Sequence, residues 1–198
     1  MAKLVVFENV SLDGVMQSPG RYDEDCRDGF EHGGWAMGYD DAVKGKAVAE
    51  GMATAGPLLF GRRTYEDFFN VWPKRKDGNP FTDVLNNAQK YVASTTLREP
   101  LPWMNSTLLK GDVPTAVARL KQQPGKDIVV LGSGELVKAL ITHNLVDVFA
   151  LNIYPVVLGS GRRLFPDTGM FAKLRLVSSV TTTTGLVMAT YQPATASA

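Results

Sequence analysis

Cysteine, histidine and net charge are what this sequence has least of. A single cysteine, Cys26, cannot close an internal disulfide, so a disulfide scaffold is excluded and nothing indicates an oxidising compartment. The two histidines, His32 and His143, lie far apart, and a thiolate–imidazole metal cage is not expected. The 21 Lys+Arg nearly balance 20 Asp+Glu, for a formal net charge of +1. That balance carries no electrostatic footprint for nucleic acid or an anionic membrane. Lys74-Arg75-Lys76 reads accordingly as a short solvated charge run. No stretch approaches the roughly 20 apolar residues that span a bilayer. The first apolar run stops at Glu8, too short for a signal-peptide core, and a cytoplasmic protein is expected.

What is present suits one globular domain. The chain has 198 residues, 44% of them hydrophobic, enough to enclose a substantial core. Strand and helix patterns alternate along it. Residues 4–7 form a β-rich run followed by a polar, Gly-containing stretch over 11–20, and residues 21–38 read as a long loop. A helix is predicted over 40–55, capped by Asp40 or Asp41, with Val43, Ala47 and Met52 along one stripe. A strand at 57–60 runs into a helix over 61–69, where Thr64 and Asp67 resemble a capping box and Tyr65, Phe68 and Phe69 supply an apolar face. Residues 72–80 read as a loop, 90–93 and 107–110 as strands, and Asp112 with Pro114 opens a helix bearing Val113, Val117 and Leu120.

The apolar, non-alternating run 127–131 is expected as a central strand covered on both faces. It leads directly into a Gly-started helix over 132–141 that ends near His143 and Asn144. A strand at 146–154 places Phe149, Leu151 and Ile153 on one side, and two β-like runs, 173–180 and 186–191, read as a hairpin. The expected architecture is a single α/β domain over residues 1–192, with a mostly parallel central sheet flanked by helices and a C-terminal antiparallel hairpin; residues 193–198 are expected as a disordered tail.

Three strand ends carry phosphate-friendly residues: Gly61-Arg62-Arg63-Thr64, Ser94-Thr95-Thr96 and Gly132-Ser133-Gly134. In an open α/β sheet, ligands bind beyond the carboxyl ends of the strands, where helix N-termini offer unpaired N–H groups. Two such turns suit the phosphates of one dinucleotide. Arg62 or Arg63 with Ser94 and Thr95 suits a further phosphate, such as the one that distinguishes NADP from NAD; the alternative for the two arginines is a surface pair. The second turn is not the G-x-G-x-x-G fingerprint, because Val137 stands where the third glycine belongs.

Four motifs in order, Ser-Leu-Asp-Gly (11–14), Leu-Phe-Gly-Arg-Arg-Thr-Tyr (59–65), Ile-Val-Val-Leu-Gly-Ser-Gly-Glu-Leu (128–136) and Pro-Val-Val-Leu-Gly-Ser-Gly-Arg-Arg-Leu-Phe (155–165), resemble the dihydrofolate reductase-like superfamily, in the branch of the RibD C-terminal reductase domain of riboflavin biosynthesis. The resemblance covers the chain apart from about 22–39, 72–80 and the tail. It implies an NADPH-binding fold that transfers hydride to a pterin-like or aminopyrimidine substrate. Gly61, Arg62, Arg63 and Thr64 match the first phosphate turn, Ser94 and Thr95 the adenosine side, and Gly132, Ser133, Gly134, Glu135 and Leu136 the second phosphate turn. Residues 11–14 match the mobile loop between nicotinamide and substrate, with Gly14 against the cofactor and Asp13 as either the proton source or a loop-shaping aspartate. Met16 and Tyr154 are candidate substrate contacts; Met16, Trp35 and Tyr39 suit the wall of an aromatic-substrate site, and core packing or loop anchoring is the favoured alternative for these three.

Two departures from the family pattern stand out. Ser133 replaces a glycine of the Gly-Gly pair that the family joins by a cis peptide, and a cis Gly132–Ser133 bond is expected by analogy. The first long helix carries Lys44-Gly45-Lys46 where dihydrofolate reductases place a carboxylate, leaving Asp13 or water to supply any proton. Arg21, Arg162 and Arg163 are candidates for a substrate phosphate. No deaminase zinc signature is found, so the expectation is the reductase half alone. The rival readings are a dihydrofolate reductase with another proton route and a non-catalytic nucleotide sensor. Cys26, in an acidic loop, is a poor nucleophile candidate, and His32 an ordinary loop histidine. The resemblance also implies a homodimer formed through the C-terminal strands.

Overall fold

Leu4, Val6 and Val10 alternate along the first strand and are all buried, which is the two-residue period of a pleated strand laid against a core. A computed structural model describes residues 1–54, 56–165 and 171–194, the side chain of Met52 excepted. The strands are β1 (Leu4–Ser11), β2 (Leu58–Gly61), β3 (Lys90–Ala93), β4 (Ser106–Leu109), β5 (Ile128–Leu131), β6 (Val148–Tyr154), β7 (Leu174–Thr181) and β8 (Val187–Pro193). The helices are α1 (Ala42–Thr54), α2 (Arg62–Val71), α3 (Pro80–Asn87), α4 (Val113–Gln122) and α5 (Gly134–Thr142).

The strands form one sheet in the order β4-β3-β2-β5-β1-β6-β8-β7. Pairing is parallel from β4 through β6; β8 runs antiparallel to β6, and β7 antiparallel to β8. Parallel neighbours require crossovers, which the helices supply, and the expected α/β sheet with its terminal hairpin is what the chain forms. One apolar cluster joins β1, β5 and β6 to α4 and α5; a second, aromatic one joins β2 and β3 to α2 through Phe60, Tyr65, Phe68 and Trp103.

Register creates the opening that matters. β1 pairs with β5 only from Leu4↔Ile128 to Phe7↔Leu131, whereas its pairing with β6 continues to Ser11↔Tyr154. Past Phe7, the β5-side edge of β1 is therefore bare, and a crevice opens there beyond the carboxyl ends of β2 and β5.

Several sequence expectations shift. Thr64 and Asp67 do not form a capping box: α2 starts at Arg62, with Gly61 as an N-cap that makes no side-chain hydrogen bond, so Thr64 already lies inside the helix. The polar stretch after Trp72 contains a short 3-10 turn (Trp72–Lys74), and it is followed by α3, a helix started by Asn79 at the cap and Pro80 in the first turn. Asp41 is the cap of α1, accepting the Lys44 N–H at 2.8 Å. Of the expected stripe, Val43 and Ala47 are half-buried, as are Lys44 and Val48; the Met52 side chain lies outside the described residues. β8 continues through Pro193, and the Ala194 N–H reaches the Lys173 carbonyl at 2.8 Å; residues 195–198 of the expected tail lie outside the described residues. Among the described residues no helix is long and apolar enough to cross a membrane.

Candidate active site

The turns at the ends of β2 and β5 are tied to each other. Ser133 Oγ accepts the Gly61 N–H at 2.9 Å and donates to the Leu131 carbonyl at 2.9 Å. Thr64 Oγ1 donates to the Gly132 carbonyl, also at 2.9 Å. Both hydroxyls are thus engaged in holding one turn against the other. The Gly132–Ser133 peptide is trans, contrary to the expectation of a cis bond. Gly132 turns the chain by taking a left-handed conformation at φ +57, and a Cβ there would lie 3.2 Å from Thr64 Cγ2, so glycine is required twice over.

These ties leave two helix N-termini side by side, α2 and α5, neither with a side-chain cap. The first-turn N–H groups of a helix have no partner inside it, and the helix dipole makes that end attractive to anions. In this cleft they are the N–H groups of Arg62, Arg63 and Thr64 and of Gly134, Glu135 and Leu136.

Both termini border one cleft of about 710 Å³. Of the residues singled out in the sequence, Met16, Arg63, Thr64, Gly132, Gly134 and Glu135 line it. Gly61 and Ser133 form the tie behind it. Arg62 turns away to pair with Glu66 at 2.8 Å, and the Leu136 side chain is buried in the core. Ser94 and Thr95 lie outside the lining; Ser94 Oγ accepts the N–H groups of Thr96 and Leu97 in a local turn. Arg21, Arg27 and Arg162 line the cleft as ion pairs with Asp67, Asp25 and Asp28, and Arg163 with Asp13. Lys138 pairs with Glu135, and Arg75 with Asp77. Among the described residues, Arg63 is the cation of the lining that makes no ion pair.

Asp13, for which the sequence left two roles open, is engaged on both oxygens. Its carboxylate accepts from Ser11 Oγ at 2.7 Å, the Leu158 N–H at 3.1 Å and the Gly159 N–H at 2.9 Å, and it faces Arg163 at 3.6 Å. The Ser11 hydroxyl, followed by the backbone donors, holds its pKa down to about 2, so it is a carboxylate throughout the physiological range. The loop is stitched to the 156–164 segment along its length, by Leu12 N–H to Val156 O and Met16 N–H to Arg162 O among others. Gly161 makes the close approach possible: a Cβ there would lie 2.7 Å from Val15 Cγ1 and 2.8 Å from Phe30 Cε2. The first and fourth sequence motifs are thus two halves of one strap. Gly14, at φ +80, closes its turn by donating to the Ser11 carbonyl and lies outside the cleft lining.

Tyr154 does not line the cleft. It is buried between Trp35 and Tyr39, whose rings meet it edge-on at 5.4 and 5.3 Å, with the Lys44 ammonium 5.6 Å from its centroid. Its hydroxyl donates to Asn9 Oδ1 at 3.2 Å, and Asn152 Nδ2 donates to the same oxygen at 3.0 Å. With Oδ1 accepting twice, the Asn9 amide has a set orientation at the cleft wall. Tyr154 thus touches the cleft wall only by its bond to Asn9.

Glu8 is a cleft residue that escaped the sequence reading. Glu8 lines the cleft at 4% exposure, and its Oε1 has no hydrogen-bond partner. Burial pushes its pKa well above the ordinary carboxylate value; backbone N–H groups of Ser133 and Gly132 partly offset this, and the nearby Glu24 adds to it. The signal was available: Glu8 continues the buried face of Leu4, Val6 and Val10, where an acid is out of place. Arg27 Nη1 and Arg162 Nε are likewise buried without an acceptor, and both side chains line the cleft.

Comparison with known proteins gives consistent relatives. The family model described as the RibD C-terminal domain matches residues 2–188. The uncharacterised protein YyaP of Bacillus subtilis (strain 168) is 33% identical over 140 residues, covering 68% of this chain and 72% of that protein. The uncharacterised protein YwjB of the same organism is 30% identical over 175 residues, 88% of each. Among solved structures, one named "Putative riboflavin biosynthesis protein", from Shewanella sp. PV-4, superposes with a TM-score of 0.73 at 21% identity, covering 98% of this chain and all of that one (100%). Dihydrofolate reductase from Enterococcus faecalis, complexed with NADP(H) and RAB-propyl, superposes with a TM-score of 0.60 at 16% identity, covering 98% and 97%.

Proposed function

We propose that this chain, which belongs to the RibD C-terminal domain family, is an NADPH-dependent reductase that transfers hydride to a small heteroaromatic or carbonyl compound. The observation that carries the reading is the pair of uncapped helix N-termini, tied turn to turn through Ser133 and Thr64 and opening on one cleft. The residues present fit an anionic dinucleotide. Buried N–H groups of Arg27 and Arg162 lack acceptors, and Arg63 lacks a counter-charge among the described residues, so the cleft offers donors that a phosphate-bearing ligand satisfies.

In this reading the first-turn N–H groups of α2 and α5 hold the diphosphate, and Arg63 takes the additional phosphate of NADPH. The bound nicotinamide supplies the hydride chemistry. Gly132 and Gly134 keep side chains out of the cradle, and the strap around Asp13 sets the wall formed by Met16. Because Asp13 is ionised and fully engaged, the proton that accompanies hydride comes from water. Asn9, oriented by Tyr154 and Asn152, presents its amide N–H groups to the ligand. The matching dihydrofolate reductase structure holds NADP(H), which supports the cofactor assignment.

One observation favours a second reading, nucleotide binding without turnover: α1 bears Lys44, paired with Asp40 and set against Tyr154, where a reductase of the dihydrofolate type has an acid. Fluorescence titration with NADPH and NADH, followed by a substrate screen for loss of reduced-nicotinamide absorbance, separates the two. Failure to bind either nucleotide defeats both readings, and binding without consumption of NADPH across the screen favours the second.

We also propose a homodimer through the hairpin. β7 is an edge strand with Leu176, Val177 and Val180 about half exposed, and its outer edge pairs with no strand among the described residues; a second copy would pair with it there. Sedimentation at several concentrations, compared with a Val177→Lys/Val180→Lys variant, tests this; a wild-type monomer throughout rejects it.

A further inference from the structure

We propose that Glu8 is a ligand-contacting acid of this cleft that keeps its proton while a dinucleotide is bound, so that cofactor binding takes up a proton, a role that rests on the dinucleotide reading above. The placement comes from register. Glu8 is the first residue of β1 beyond its last pair with β5, Phe7↔Leu131, so it stands at the bare edge where the crevice opens. The residue is 4% exposed, borders the cleft, and carries an Oε1 that makes no hydrogen bond. The N–H groups of Gly132 and Ser133, in the turn that leads into α5, lie against the same carboxyl.

Among the described residues, none of the ion pairs around the cleft includes Glu8. The facing 17–30 segment brings Glu24, of like sign. That segment's cations are held elsewhere, Arg21 by Asp67 and Arg27 by Asp25. From the 156–164 strap, Arg162 is held by Asp28 and Glu135, and Arg163 by Asp13. On α5, Lys138 is held by Glu135; on α2, Arg63 has no carboxylate partner among the described residues. A carboxylate buried without a cation is strongly disfavoured, so the neutral acid is the form that suits this place. The neutral acid has an O–H to donate and no protein acceptor for it. A phosphate oxygen, ribose hydroxyl or carboxamide oxygen seated beside the Gly132–Ser133 turn is such an acceptor.

The sign of the pH effect follows. A bound polyanion makes ionisation of Glu8 costlier still, raising its pKa further in the complex than in the free protein. Between those two values the free protein carries the carboxylate and the complex carries the acid, so binding takes up a proton. Affinity then falls as pH rises, by up to about tenfold per pH unit for one linked proton. Glutamine keeps the shape, one N–H donor and one carbonyl acceptor, and cannot ionise.

Isothermal titration of the full chain with NADPH, from about pH 7 up to the highest pH at which the chain stays folded, tests the assignment in two buffers of different ionisation enthalpy. This range lies above the second phosphate pKa of about 6, so the ligand's own titration contributes little. The expected result is uptake of up to one proton by the wild type, with affinity that weakens towards high pH. Glu8→Gln is expected to bind NADPH with no such uptake and with a flat profile. Equal pH profiles for the two chains, or no proton uptake by the wild type, overturn the role of Glu8 and leave the dinucleotide reading standing. Failure of both chains to bind NADPH at any pH overturns the dinucleotide reading and, with it, the role of Glu8.

Discussion

Helices α3 and α4 begin on a side chain that accepts a first-turn N–H: Asn79 takes the Phe81 N–H and Asp112 the Thr115 N–H. Helices α2 and α5 begin on Gly61 and Ser133, and no side chain does this for them. Ser133 is the instructive case, because serine is a good capping residue. Its hydroxyl is diverted to Gly61 and Leu131, which fastens two turns together and leaves the helix start uncapped. The difference extends to the far end of α3, where the Lys90 ammonium, fully buried, donates to the carbonyls of Asn86, Ala88 and Met104 and lies 4.4 Å from the centre of the Trp103 ring. Away from the cleft, helix ends are satisfied by the protein itself. At the cleft, two of them are left for a ligand.

The largest expected effect lies on the satisfied side. Lys90→Met strands three carbonyls without donors and should cost about 3 kcal/mol in urea unfolding, with NADPH affinity unchanged. Burial pulls the Lys90 pKa down to about 8, below its unfolded value. The folded state therefore releases that proton first, and the contribution of Lys90 to stability should rise as pH increases from about 8 to about 10.4 and level off on either side. The stability gap between wild type and Lys90→Met should widen across that window; a gap that narrows with pH would contradict desolvation of the ammonium as the cause.

On the open side, Gly134→Asp places a carboxylate at the start of α5, where it complements the helix dipole but repels a phosphate. Met16 Sδ, 2.8 Å from the new Cβ, is the end of a flexible side chain and can swing aside. NADPH affinity should fall by about 100-fold with the melting temperature held, measured by fluorescence titration and calorimetry. An unchanged affinity would erase the distinction between the two kinds of helix start. Arg63→Ala should weaken NADPH by about tenfold and leave NADH alone. A loss shared equally by both nucleotides would move Arg63 from the additional phosphate to the diphosphate. The smallest effect returns to the capped side: Asp112→Ala should cost about 1 kcal/mol of stability without touching nucleotide affinity.

Much of this was legible in the residues. The β-rich run at 4–7, the apolar run of β5, the apolar face of α2 and the Asp112 cap are local patterns, and each lies in the element expected of it, though β1 runs on to Ser11. α3 was legible too, in Asn79 followed by Pro80, but a short helix after a polar loop leaves few apolar positions to reveal it. The site was half legible. Glycines at the strand ends located both turns, yet Thr64, read as part of a capping box, belongs to a bond across to Gly132. Tyr154, a candidate for the cleft, is enclosed by Trp35 and Tyr39 and reaches it only through Asn9.

Where strands and helices start and stop, and where the chain must turn left-handed, was set by the sequence alone, because those features depend on neighbours a few residues away. Which polar groups remain free to act was settled by tertiary packing. Ser133 and Thr64 are engaged by partners 72 and 68 residues distant, and Asp13 by backbone donors such as Leu158, 145 residues away. Glu8, one residue past the last β1–β5 pair, is left with an unpartnered side-chain oxygen. A side chain's type sets what it can donate, accept or ionise; burial and distant partners determine how much of that capacity is left for chemistry.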